Sequence, residues 1–237
     1  MKSIHRRFYL VHVEKHSKAT WMRDVILGGQ DGLVNVLGIV LGVSAASQDT
    51  KILIAASLAA AFAEAVSMAA VAYTSTLAQI DHYTKEVARE RQEIEDTPEE
   101  EREEVREIYR KKGFSGKLLE DIVAQVTSNK ESWLKSLVKE ELGLEQIDRS
   151  TLFRISATVG IAALLASFIP VLPFFFLPHG IAIVVCLLAS TIALFIIGAY
   201  EAKTYVGSWW KNGIQLAVIG MSAAVIGFLI GKIFQVN

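Results

Sequence analysis

At 237 residues the chain is long enough for one or two soluble domains, but 52% of it is hydrophobic and its mean hydropathy is +0.37, which points away from an ordinary water-soluble protein. The formal net charge of -1 hides a strong segregation, since residues 81–150 hold 19 of the 25 acids against 13 lysines and arginines. The lone cysteine, Cys186, excludes an intrachain disulfide and a thiol cluster for zinc.

In chain order, residues 1–24 are polar and basic (Lys2, Arg6, Arg7, Lys15, Lys18, Arg23). They lack the apolar core and cleavage site of a signal peptide and read as a cytoplasmic tail. Five stretches then reach the roughly 17–25 residues that cross a bilayer as helix. They lie at 25–46, 52–77, 155–177, 180–200 and 213–234. The chain thus divides into the tail, spans one and two within 25–80, an insert at 81–150, and spans three to five within 151–237. The expected fold is all-α: an integral membrane protein with a cytoplasmic helical domain inserted after its second span. The positive-inside rule puts the tail, the insert and the loop at 201–212 inside. Trp209 and Trp210 suit an interfacial belt there.

Only the first two spans carry acids, Asp31 and Glu64. A carboxylate in the bilayer costs at least about 2.5–3.5 kcal/mol on insertion scales, so such residues are usually functional. Asp31 stands roughly 9 Å inside the first span and Met68 roughly 13 Å inside the second, at 1.5 Å per residue. Glu64 is stacked one turn beyond Met68, and Asn35 one turn beyond Asp31. Two carboxylates, an amide and a thioether can line one polar track. Hard oxygens alone suit magnesium or calcium, whereas the thioether tilts toward softer ions such as iron(II). The bland alternative is that Asp31 bonds a neighbouring helix and Met68 is core.

The insert reads as four helices. The first continues the second span through residue 95. Thr97-Pro98-Glu99-Glu100 starts the next, with Thr97 as cap and Glu100 completing a capping box. Gly113 ends it after Lys111 and Lys112. Segments at 115–127 and 130–142 follow, with stripes of Leu118, Ile122, Val126 and of Trp133, Leu134, Leu137, Val138. Most of the acids belong on solvated, salt-bridged faces, Glu103–Arg106 among them. Glu90 and Glu93, however, share a helix face, as do Glu101 and Glu104. A fold-back at residues 95–97 would converge four carboxylates, as oxygen ligands for a divalent ion must.

Other chemistries lack their residues. No Glu-x-x-His pair supports a di-iron oxidase or store, and no P-loop glycine motif supports ATP coupling. His5, His12 and His16 fall in the tail and His82 begins the insert. Gly28, Gly32, Gly38 and Gly42 in the first span, and Ala223, Gly227 and Gly231 in the last, form small-residue faces for close packing within or between protomers.

The chain resembles the vacuolar iron transporter family over nearly all its length. The resemblance rests on Arg23-Asp24-Val25-Ile26-Leu27-Gly28-Gly29-Gln30-Asp31-Gly32-Leu33 and Glu64-Ala65-Val66-Ser67-Met68 in the spans. In the insert it rests on Glu99-Glu100-Glu101-Arg102-Glu103-Glu104-Val105 and Lys139-Glu140-Glu141-Leu142-Gly143. It implies a homodimer, not an enzyme, that exports iron(II), often manganese(II) too, from the cytoplasm in exchange for protons. The pathway would run along the dimer axis between the first spans. By resemblance, pathway residues fall on Asp31, Asp24 and Met68, and metal ligands on Glu90, Glu93, Glu101, Glu104 and Glu141.

Two departures accompany it. Leu137 and Val138 stand where the family carries paired methionines. The acid of span two is Glu64, one turn before Met68, rather than at Ala60, two turns before. The expectation is a proton-coupled exporter of iron(II) and manganese(II), bound as substrate with no prosthetic group. Its partners are metal ions, protons and lipid, with no nucleic acid. It would sit in a prokaryotic plasma membrane, or a vacuolar one in a eukaryote. The rival reading is a non-transporting membrane protein whose charged helices dock a partner.

Overall fold

The computed structural model describes residues 17–204 and 207–235. The tail residues Lys2, Arg6, Arg7 and Lys15, with His5, His12 and His16, lie outside the described residues. Helices α1 (Ser17–Ala46) and α2 (Thr50–Asp96) are followed by α3 (Pro98–Lys111), α4 (Gly116–Thr127) and α5 (Lys130–Ser136). Then come α6 (Leu152–Val171), the short α7 (Pro173–Phe176), α8 (His179–Thr204) and α9 (Trp209–Ile233). No strand forms among the described residues. Helices α1, α2, α6, α8 and α9 are long and apolar enough to cross a membrane. The protein is therefore an all-helical, multi-pass membrane protein.

Two compact units result, one from the segments up to Ala70 and from Ile155 onward, the other from Val71–Arg154. The expected boundaries were later at the first span and narrower around the insert. Nothing in residues 17–24 breaks a helix, and Asp24 lies within α1. Helix α2 does continue well past its apolar portion, as expected.

In the first unit, Val36, Leu37, Val40, Leu53, Ala61 and Cys186 are buried in one core. Phe62, Val66, Leu165, Ile196 and Ile226 remain exposed, as a lipid-facing surface requires. Close approach comes from glycine. A Cβ on Gly28 or Gly32 would run into the Val159 or Ala163 carbonyl oxygen of α6. Gly42 of α1 faces Gly227 of α9 in the same way, so these faces pack within one chain. At one end, Ser44 Oγ of α1 lies 3.0 Å from His179 Nε2 at the start of α8.

The second unit has its own core of Ile94, Val105, Leu119, Val123, Trp133, Leu134, Leu137 and Val138. The α4 stripe is displaced from the expected one. Leu118 is 57% exposed, while Leu119 and Val123 are buried with Val126 packed beside them, because the docking of α4 turns that row inward. The expected capping box is absent. Thr97 alone separates α2 from α3, and its hydroxyl donates to the Glu93 carbonyl at the end of α2 (3.2 Å). The amides of Glu100 and Glu101 bond the Thr97 carbonyl instead, at 3.1 and 3.2 Å. Gly113, with φ +95°, ends α3 as anticipated. After Ser136 the last helix widens into a π-turn over Leu137–Glu141, closed by the Leu142 amide on the Leu137 carbonyl (3.2 Å).

Candidate functional site

The membrane-length unit brings three of its expected residues together. The Glu64 carboxyl of α2 interacts with the Asp31 carboxyl and the Asn35 amide of α1. The four-residue register stacks Asp31 beneath Asn35 on one face of α1, so both can address the same α2 side chain. Asp31 and Glu64 are half-buried, and Asn35 is exposed on the single chain. Met68 is half-buried one turn along α2 from Glu64. Asp24 is only 5% exposed, two turns before Asp31, with Arg23 Nε 3.9 Å from its Oδ1. Asn35 also borders an apolar groove of about 600 Å³ between α1 and α9, lined by Gly38, Ile39, Gly42 and Gly227.

In the charged unit, the one-residue break at Thr97 sets Glu90 and Glu93 of α2 against Glu101 and Glu104 of α3. Glu90 and Glu101 are 2% and 4% exposed, and one Glu101 oxygen, Oε2, is buried with no hydrogen-bond partner. Burial pushes the Glu101 carboxyl up to about 7, helped by the charges of Glu104, Glu90 and Glu93. Glu141, on the rim, is also pushed up to about 7, first by partial loss of hydration and then by Glu104 and Glu90. The π-turn divides two neighbours. Glu141 faces this cluster, whereas Glu140 meets Lys112 Nζ at 2.6 Å, which holds its carboxyl below the usual range. Among the described residues, no three His, Cys, Asp or Glu side chains are grouped closely enough to hold a metal ion. The five glutamates therefore interact electrically without forming a finished coordination shell.

Most other acids take the solvated, paired state expected of them. Arg106 pairs with Glu103 and bridges to Glu120 at 3.0 Å, tying α3 to α4. Lys130 reaches Glu95 at 3.0 Å.

Sequence reasoning passed over two residues. Arg89 contacts Glu86, Glu90 and Glu93 at 2.8, 3.1 and 3.4 Å, and Glu86 has a side chain only 12% exposed. Spacing carried the signal: Glu86 and Glu90 are four apart, and Arg89 lies within four residues of all three acids.

Comparison with known proteins places these features in a wider set. The sequence profile described as the VIT family matches residues 22–232. The chain is 34% identical over 227 residues to "Vacuolar iron transporter 1" of Arabidopsis thaliana, covering 94% of this chain and 90% of that protein. It is 32% identical over 225 residues to "Vacuolar iron transporter" of Centaurea cyanus, covering 93% and 91%. It is 30% identical over 226 residues to "Vacuolar iron transporter 1" of Tulipa gesneriana, covering 94% and 92%.

Proposed function

The chain belongs to the VIT family, and from that premise we propose that it is a transporter carrying iron(II), and manganese(II) as a second substrate, out of the cytosol in exchange for protons. It is not an enzyme, since its relatives are named as transporters. The meeting of Asp31, Asn35 and Glu64 inside an apolar unit carries this reading. Two carboxyls in contact need a proton or a cation between them, so the pair can trade one for the other. Such an exchange couples cargo to protons without a nucleotide. Met68, one turn away, adds a thioether that favours iron(II) over magnesium or calcium. Asp24 stands further along α1 as a second acid on the route.

The glutamates of the Val71–Arg154 unit serve as a capture site in this scheme, with Glu90, Glu93, Glu101, Glu104 and Glu141 as oxygen ligands. The buried, unpartnered Glu101 oxygen supports it, because such an atom costs free energy unless a cation or proton is supplied. Holding an ion requires the five side chains to close further than they do here. By the positive-inside rule the unit faces the cytosol, so capture precedes export. A homodimer is part of the proposal. Asn35 and Ile39 are exposed on α1, and a second copy laid on that face would enclose a pathway between the two first spans. The relatives' names point to a vacuolar membrane, and the plasma-membrane expectation finds no support among them.

Reconstituted protein tests the proposal. Proteoliposomes with an imposed pH gradient should accumulate iron(II) and manganese(II) while protons move the other way. No movement of either ion under any gradient would overturn it.

A further inference from the structure

Arg89 is a cation placed where the proposed cargo would bind. Its three guanidinium nitrogens are each directed at a different carboxylate: Nη1 at Glu86 (2.8 Å), Nη2 at Glu90 (3.1 Å) and Nε at Glu93 (3.4 Å). These differ from ordinary helix-surface pairs, because the Glu86 and Glu90 side chains are 12% and 3% exposed. The opposite side of the cluster has no such partner. Among the described residues, Glu101, Glu104 and Glu141 make no salt bridge, and Glu101 Oε2 is buried without any hydrogen bond. One half of the acid group is clamped by a fixed cation and the other half is left for a mobile one.

Resting on the capture reading above, we propose that Arg89 is a tethered counter-ion that competes with divalent cargo for Glu90 and Glu93 and so sets the affinity of the capture site. Arg89 holds Glu90 Oε1 and Glu93 Oε2, so a metal ion that draws on those oxygens has to displace the guanidinium. Arginine cannot leave by losing its charge, since it stays protonated in proteins. It has to swing away, and its side chain, 51% exposed, has solvent to swing into. Binding is then an exchange of one cation for another. The physical benefit is release: a site that hands cargo onward must hold it weakly enough to let it go. When the ion departs, Arg89 returns to Glu90 and Glu93 and offsets their repulsion.

The test is manganese(II) binding to the full-length protein in detergent, followed by electron paramagnetic resonance. Arg89→Ala should bind manganese(II) about fivefold more tightly than wild type, the upper end of what a half-exposed ion pair contributes. Millimolar ethylguanidinium should compete with manganese(II) in Arg89→Ala and return its affinity toward wild type, while leaving wild type unchanged. A residue that only braced the helix would not show that rescue. Arg89→Met keeps the aliphatic stem and carries the same expectation if the alanine variant fails to fold. Unchanged or weaker affinity in a folded neutral variant, with wild-type binding intact, overturns this inference alone. Absence of manganese(II) binding to wild type sinks the capture reading on which it rests.

Discussion

The two units use acidic residues in opposite ways. In the membrane-length unit carboxylates are scarce, and Asp31 and Glu64 find each other across α1 and α2. In the Val71–Arg154 unit carboxylates are plentiful, and most are spent on ion pairs such as Arg106–Glu120 and Lys130–Glu95. Scarcity marks the first pair as functional candidates, because an apolar medium penalises every charge it holds. In the second unit spacing proposes Glu90, Glu93, Glu101 and Glu104, and burial then singles out Glu90 and Glu101 among them. Position alone marks the candidates in one unit, whereas the other needs surroundings as well as spacing.

The sharpest way to break the comparison is Asp31→Asn. It preserves shape but removes one charge beside the proposed cargo. Transport should fall at least about a hundredfold, since a unit charge at 4 Å contributes about 4 kcal/mol at an effective dielectric of 20. The protein should still elute as a folded species on gel filtration. Wild-type rates in proteoliposomes would remove Asp31 from the route.

Glycine draws the same contrast in packing. Gly32→Val drives a side chain into the Ala163 carbonyl and toward Ser167 Oγ, and should destabilise the first unit by about 3 kcal/mol or more. Gly113 in the second unit has open space around it and a φ of +95°, so Gly113→Ala meets a conformational penalty alone, about 1–2 kcal/mol. Thermal unfolding of both variants in detergent checks the order; a larger loss for Gly113→Ala would reverse it.

Glu101→Gln with Glu104→Gln should weaken manganese(II) binding by about tenfold or more, since altering even the groups that orient metal ligands costs about 10–100-fold. Transport at saturating metal should hardly change, because capture limits the rate only when metal is scarce. The matched control is Glu103→Gln with Glu107→Gln, two acids of the same helix held in exposed pairs with Arg106 and Arg110. Isotherms that respond equally to both double substitutions would return Glu101 and Glu104 to the solvated face.

The five spans were legible because each is a long apolar run whose meaning survives ignorance of its neighbours. The same holds for Glu90–Glu93 and Glu101–Glu104, whose three-residue spacing fixes a common face whatever surrounds the helix. Legibility ended where tertiary choice decides. Thr97 had the chemistry of a cap, yet with one residue between two helices it served the end of α2. Leu118 and Leu119 are adjacent leucines, and only the docking of α4 decides which is buried. Arg89 escaped notice because sequence alone cannot tell a clamp on buried acids from one more exposed ion pair. The π-turn that separates Glu140 from Glu141 has no sequence signature here, since no proline or glycine interrupts Leu137–Glu141.

The smallest expected effect is a pH dependence confined to the charged unit. The Glu101 and Glu141 carboxyls are raised from 4.5 to about 7, so the folded unit holds protons there that an unfolded chain has released. Their contribution to stability is present below the unfolded value and is lost as pH rises through about 7. Glu140 and Asp148 are shifted the other way, by Lys112 and by the Ser150 amide. Their contribution is lost only as pH falls through values below the ordinary carboxylate range, so it stays constant between about pH 6 and pH 8. Without added metal, amides in residues 90–104 should therefore open more readily at pH 8 than at pH 6, after correction for the intrinsic exchange rate. Metal affinity should move in the opposite sense, by several-fold, because an ion at pH 6 must first displace those protons. Hydrogen exchange on the full-length protein, read segment by segment, supplies the measurement, with α8 and α9 as internal reference. Glu101→Gln with Glu141→Gln should flatten the dependence. An unaltered slope in that variant would show that burial of these two carboxyls is not its source, and the distinction drawn between the units would then rest on Asp31 and Glu64 alone.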